Sequence, residues 1–167
     1  MKRLAIIPSD PLEEYKNQGL ASKLTDYYNP LGFFDEIFAL TPLEKNKHGE
    51  FGMNIIPTKD RELKSRLKEF NIDIVRAYGG NWPSDMACRF KLETVPVVVS
   101  VHDRRREWLH KSIRKADFIF VVSEEVKGLV ESFGVKSERV WLLPNRIDFN
   151  IMRSFTEDQI KDLKEEI

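Results

Sequence analysis

The residues best suited to chemistry cluster in one half of this 167-residue chain, and they follow apolar runs. His102-Asp103 follows Pro96–Val101, Ser123-Glu124 follows Phe118–Val122, and Asn145-Arg146-Ile147-Asp148 follows Val140–Leu143. Arg104, Arg105 and Arg106 come directly after the His-Asp pair. An imidazole, carboxylates, an amide and a run of guanidinium groups form a set suited to a polar ligand that carries phosphate. If the arginines open a helix, they meet the positive end of its macrodipole, which costs a few tenths of a kcal/mol each. A bound phosphate would turn that cost into a complementary site. The plainer reading is a solvated loop. Further upstream, Gly79-Gly80-Asn81-Trp82-Pro83 follows the run Ile72–Tyr78. Two glycines, an amide and an aromatic suit the stacking of a sugar on a loop, and they suit a simple turn equally. Gly19, after Lys16-Asn17-Gln18, either lets backbone approach a ligand or eases helix packing.

These groups need elements to position them. The three apolar runs of the C-terminal half are short, valine-rich and without polar alternation, as strands buried on both faces of a parallel sheet are. Between the last two, Ser123 stands at an N-cap, Glu124 and Glu125 fill a first turn, and Gly134 follows Phe133 as a C-terminal glycine. Between the first two, Trp108, Leu109 and Ile113 predict a helix over Glu107–Lys115. Alternation of strand and helix implies right-handed crossovers and a parallel sheet, whose strand carboxyl ends border the ligand crevice. Earlier strands are predicted at Leu4–Pro8, Phe34–Leu40, Phe51–Ile56 (an edge candidate) and Ile72–Tyr78, with Lys45–Gly52 as a charged loop. Helices are expected around Leu20–Tyr28, over Asp60–Phe70 and over Asp85–Leu92. The fold class is therefore α/β: a single Rossmann-like domain, a mostly parallel sheet of about seven strands with helices on both faces.

The ordered set His102-Asp103, then Ala116-Asp117 leading to Val122-Ser123-Glu124, then Pro144-Asn145 with Asp148, resembles the N-terminal domain of family 4 glycosyltransferases. These are nucleotide-sugar-dependent retaining enzymes of the GT-B fold. The resemblance implies a Rossmann-like, acceptor-side domain over residues 1–150. It also implies that residues 151–167 form a helix leading to a C-terminal, donor-binding domain outside this chain. Thr156 and Gln159 fit a capping box for that helix, with Ile160, Leu163 and Ile167 on one face. By the same resemblance His102 is the catalytic-site residue, contacting the donor sugar or its phosphate rather than acting as nucleophile. Gly19, Gly80, Asn81, Asp103, Arg104, Arg105, Ser123 and Asn145 are the residues expected at substrate or phosphate. The leaving diphosphate can itself take the acceptor proton. The family often has glycine after the Asn, where this chain has Arg146. A non-catalytic α/β ligand-binding module is the alternative.

Composition narrows the classes. Lys+Arg and Asp+Glu are equal at 27 each, so bulk charge suggests no nucleic acid. Cys88 is the single cysteine and the three histidines lack ligand spacing, so neither a disulfide framework nor a metal site is expected. The resemblance makes the nucleotide-sugar a co-substrate, and it implies that this domain binds no cofactor of its own. No P-loop, GxSxG or GxGxxG occurs. MKRLAIIPSD is too short in apolar residues for a signal peptide, so cytoplasmic residence is the expectation. The basic face of the 59–68 helix reads as solvated. The alternative is contact with an anionic membrane surface or a lipid-linked acceptor.

Overall fold

The structure is a computed structural model that describes residues 1–18 and 21–145. Gly19, the Arg146–Asp148 turn and the helix expected over 151–167 lie outside the described residues. The strands are β1 (Arg3–Ile7), β2 (Glu36–Thr41), β3 (His48–Glu50), β4 (Met53–Pro57), β5 (Ile74–Tyr78), β6 (Val97–Val101), β7 (Phe118–Val121) and β8 (Val140–Leu142). They form one eight-stranded sheet in the order β3-β4-β2-β1-β5-β6-β7-β8. Every neighbouring pair is parallel except β3 with β4. The α/β fold expected from the sequence is thus present. The eighth strand, β3, is a polar edge inside the stretch expected to be a loop, so β4, the edge candidate, instead lies between two neighbours, β3 and β2.

The helices are α1 (Leu12–Asn17), α2 (Ala21–Tyr28), α3 (Leu63–Glu69), α4 (Trp82–Arg89) and α5 (Glu124–Ser132). Alternate strand residues feed two cores on opposite faces of the sheet. On one face Val75, Ala77, Val97, Val99 and Val101 meet Leu63 and Leu67 of α3, Met86 and Ala87 of α4, and Val126 and Val130 of α5. On the other, Leu4, Ile6 and Tyr78 meet Leu12, Leu24 and Tyr28 from α1 and α2. Each such aliphatic side chain, removed from water, contributes roughly 1.5–3 kcal/mol before the entropy of ordering is subtracted. Cys88 of α4 is in the core, and burial pushes its thiol up to about 12. That makes it inert, as a buried cysteine should be.

α5 matches its sequence signals. Ser123 Oγ accepts from the Val126 N–H at 3.3 Å, Glu124 and Glu125 lie in the first turn, and Gly134 has φ +86°. Ser123→Ala should therefore cost about 1 kcal/mol through loss of the cap, read as a lower midpoint in urea with an unchanged slope. Asp117 also has a structural task. Its carboxylate accepts from the Val97 N–H at 2.8 Å, tying the start of β7 to that of β6.

The helix expected over Glu107–Lys115 does not form. Two 3-10 turns, Arg106–Trp108 and Lys111–Lys115, flank extended backbone at Leu109 and His110. The reason is tertiary. The His110 N–H donates to the Gly80 carbonyl at 2.8 Å, while the His110 ring accepts from the Ser112 N–H. Leu109 and Ile113 are still buried, so the apolar spacing was real while the helical inference was not. α4 likewise starts at Trp82 rather than Asp85, with a proline in its first turn.

Candidate functional site

β1 lies between β2 and β5, so the chain's direction of travel across the sheet reverses there. A doubly wound sheet opens a crevice at such a point, outside the strand carboxyl ends. A cleft of about 480 Å³ occupies it. Its wall takes Ser9-Asp10 after β1, Tyr78 through Pro83 at and after β5, and His102-Asp103 after β6. α1 and α2 contribute Tyr15, Leu24, Tyr27 and Tyr28, and Trp108 also lines it. Tyr27, Tyr28 and Tyr78 form a cluster of rings with centroids 4.9–5.5 Å apart. Trp108 is 48% exposed, its ring beneath the Arg105 guanidinium at 4.6 Å. The result is a cleft with aromatic walls and a few convergent polar groups, the usual make-up of a small-molecule site.

The β5–α4 loop is held rigidly. Gly79 has φ +104°, which only glycine adopts without strain. Gly80 is needed for a different reason, since a Cβ there would lie 2.6 Å from Leu109 Cδ1 and 3.0 Å from the Trp108 carbonyl. Its own carbonyl accepts from His110 N and Ser84 Oγ, at 2.8 and 2.6 Å. Gly80 therefore fastens the β5–α4 loop directly to the 106–110 loop beside it. Gly80→Ala is expected to lower stability by about 1–3 kcal/mol through overpacking, and to shift Trp108 fluorescence by moving that loop. Asn81 lines the cleft, and its side chain makes no capping bond.

His102 is exposed at the end of β6 and makes no hydrogen bond or ion pair with the described residues. The cleft walls still desolvate its imidazole, and this, followed by the Arg76 guanidinium, lowers its pKa from the usual 6.5. It also lines a second cavity of about 240 Å³, with Arg76, Ser100, Phe120, Pro144 and Asn145. His102 and Tyr27 are common to both cavities.

The arginine run is divided. Arg105 donates to both carboxylate oxygens of Asp103, at 2.5–3.1 Å, and these bonds hold Asp103 down to about 2. Arg106 turns to Ser132 Oγ and the Phe133 ring. Arg104 is left in solvent, 4.0 Å from Glu125. The run opens only a three-residue 3-10 turn, so the macrodipole argument for an anion does not apply. Of the expected site residues the structure gathers Gly80, Asn81, His102 and Asp103 around the larger cleft, and Asn145 around the smaller. Arg104, Arg105 and Ser123 line neither, and the Ser123 hydroxyl is taken by the α5 cap. Sequence reasoning missed Ser9-Asp10, Tyr15, Tyr28, Tyr78, Arg76 and Ser100. The first pair was within reach, since it directly follows the first strand and so belongs at the crevice. Burial, with Asp10 next, raises the pKa of the adjoining Tyr15.

Residues 32–150, more than half of the chain, match the model of Glycosyltransferase Family 4. This chain belongs to that family. No curated protein matches it. Among solved structures, Anabaena HepE in complex with UDP superposes with a TM-score of 0.63 at 15% identity, over 99% of this chain and 50% of that one. The lipopolysaccharide outer core galactosyltransferase WaaB gives 0.54 at 13% identity, over 88% and 46%. The UDP-GlcNAc 2-epimerase of Methanocaldococcus jannaschii gives 0.53 at 13% identity, over 87% and 46%. At such identities the likeness is one of fold. The family 4 chain spans about half the length of these structures. Among its described residues no helix is long and apolar enough to cross a membrane.

Proposed function

We propose that this chain is the acceptor-side half of a glycosyltransferase that moves a sugar from a nucleotide-sugar donor to an acceptor, with retention of configuration. The observation that carries the reading is His102, standing at the carboxyl end of β6 where the aromatic cleft and the smaller cavity meet. The aromatic cleft takes the acceptor. Ring faces stack on the apolar faces of a sugar, while Asn81 and Asp10 offer groups to its hydroxyls. A second domain holds the nucleotide, a reading supported by the UDP-bound neighbour HepE. His102, largely neutral near pH 7, offers one donor and one acceptor to the donor sugar or its phosphate. In a retaining reaction the leaving diphosphate can take the acceptor proton, so no protein base is required of the cleft.

The test is acceptor-dependent release of nucleotide diphosphate from a panel of nucleotide-sugars. It uses a polypeptide in which this chain is joined to a donor-binding domain, with the product's anomeric configuration read by NMR. Acceptor-dependent release with retention supports the reading. Ligand binding in the cleft without turnover of any donor would leave a non-catalytic binding module instead.

A further inference from the structure

Arg76 sits where an arginine is costly. β5 is a central strand of the sheet, and its neighbours Val75 and Ala77 are wholly buried. Strands covered on both faces are apolar because a partly desolvated cation needs partners. The partners here are few. Nε and Nη2 each donate to Ser100 Oγ at 3.2 Å, and the guanidinium lies over the Tyr78 and Phe120 rings at 4.8 and 5.6 Å. Among the described residues no carboxylate pairs with it. A guanidinium has five N–H donors in a planar fork, and a single hydroxyl leaves most of them unmatched. Ser100 is itself fully buried, so the fork is fixed from behind. The open side is the 240 Å³ cavity, where His102 and Asn145 supply further polar groups.

We propose that this cavity is an oxyanion site built on Arg76, which receives an acidic substituent of the acceptor, a carboxylate or a phosphate monoester. Size separates it from a nucleotide site, since 240 Å³ falls below the roughly 300–1,000 Å³ of pockets for drug-sized ligands. Shape matches as well: the guanidinium fork binds two oxygens of one carboxylate or phosphate in parallel. Continuity links it to the acceptor. Tyr27 and His102 line both cavities, so a molecule stacked in the aromatic cleft can reach Arg76 with one charged group. That the bound molecule is an acceptor rests on the function proposed above; that the cavity binds an oxyanion does not.

The experiment measures binding to this chain by calorimetry and by the NMR titration of His102, with inorganic phosphate, glucuronate, glucose and UDP as probes. Phosphate and glucuronate should bind, glucose should bind at least ten-fold more weakly than glucuronate, and UDP should bind no more tightly than phosphate. Arg76→Gln should weaken phosphate at least ten-fold with an unchanged circular dichroism spectrum, and Arg76→Lys should fall between. The His102 pKa should rise when phosphate is bound, because the anion offsets the Arg76 charge, and should fail to rise with phosphate in Arg76→Gln. If Arg76→Gln does not fold, Arg76→Lys and Ser100→Ala decide, each expected to lose about three-fold or more. No phosphate binding, or equal binding by the folded variants, would overturn the site. Tight UDP binding through Arg76 would give the oxyanion to the donor and overturn the acceptor assignment. Neither outcome depends on observing sugar transfer.

Discussion

His102→Ala should reduce sugar transfer about 10²–10³-fold, the usual cost of removing one preorganised polar group from a reacting centre, with little change in melting temperature. Both halves of that expectation follow from the side chain's position. The imidazole stands exposed after β6 and bonds to no described residue, so truncation leaves neither a cavity nor a stranded partner. Substitutions of that kind shift stability by about 0.5 kcal/mol or less. Its pKa is lowered by desolvation at the cleft walls and then by Arg76, so the neutral form prevails at pH 7. If the neutral ring serves transfer, kcat/KM should stay flat from pH 8 downward and fall only below the ordinary histidine range near ~6.5. Activity that rises on acidification would assign the work to imidazolium instead. His102→Asn keeps a hydrogen-bond donor and should recover part of the loss. Near-normal turnover by the alanine variant, in a polypeptide with its donor-binding domain, would remove His102 from the site.

Much of this fold was legible because double burial writes a strand as an uninterrupted apolar run. β6, covered along its whole length, reads VVVSV, and each of the seven parallel strands overlaps a run expected from the sequence, although Arg76 interrupts β5 and β8 is largely exposed. β3 was not, because His48-Gly49-Glu50 pairs only at an edge and its side chains are mostly in water. Its turn also hides a signal, since Phe51 and Gly52 both have positive φ, the backbone of a tight hairpin, and only glycine advertises that. The 107–115 stretch misleads differently. Spacing of Leu109 and Ile113 is compatible with a helix and equally with two tight turns, and a distant carbonyl, that of Gly80, chose the turns.

The site divides along the same line. His102, Asp103, Gly80 and Asn81 were findable because each directly follows a strand. The tyrosine walls were not, because their meeting is a matter of tertiary packing: Tyr28 reads as the apolar stripe of a helix until it is seen against Tyr78. Arg76 carried the sharpest unused signal, a single cation inside the buried run IVRAY. A charge that interrupts a strand buried on both faces is either paired or functional. That choice could have been posed from the sequence, though Ser100 as its partner could not.

Purified alone, this chain should unfold in one cooperative transition and yet show no measurable transfer, below roughly one-thousandth of the rate of a polypeptide with the donor-binding domain attached. Folding follows from the sheet. Its eight strands are paired in one continuous ladder, and the two cores enclose side chains such as Ile6, Leu40, Leu67 and Ile119 almost completely. Nothing in that arrangement needs a partner for its core. The chemistry does. The larger cleft is open, with Trp108 half in solvent, so an acceptor bound there is neither shielded from water nor held against a donor. Holding two reactants in register can supply ~7–11 kcal/mol of a barrier, a contribution that one bound reactant does not receive. The solved structures that superpose on the chain are about twice its length, and in the function proposed above a second domain supplies the other reactant. The exposed edge at Trp141 and Leu142 should also make the isolated chain associate at high concentration, which light scattering would detect. The decisive comparison is turnover of the chain alone against the joined polypeptide, at equal molarity and saturating donor. Comparable rates would show that these 167 residues hold a complete active site, and the division of labour proposed between two domains would fall.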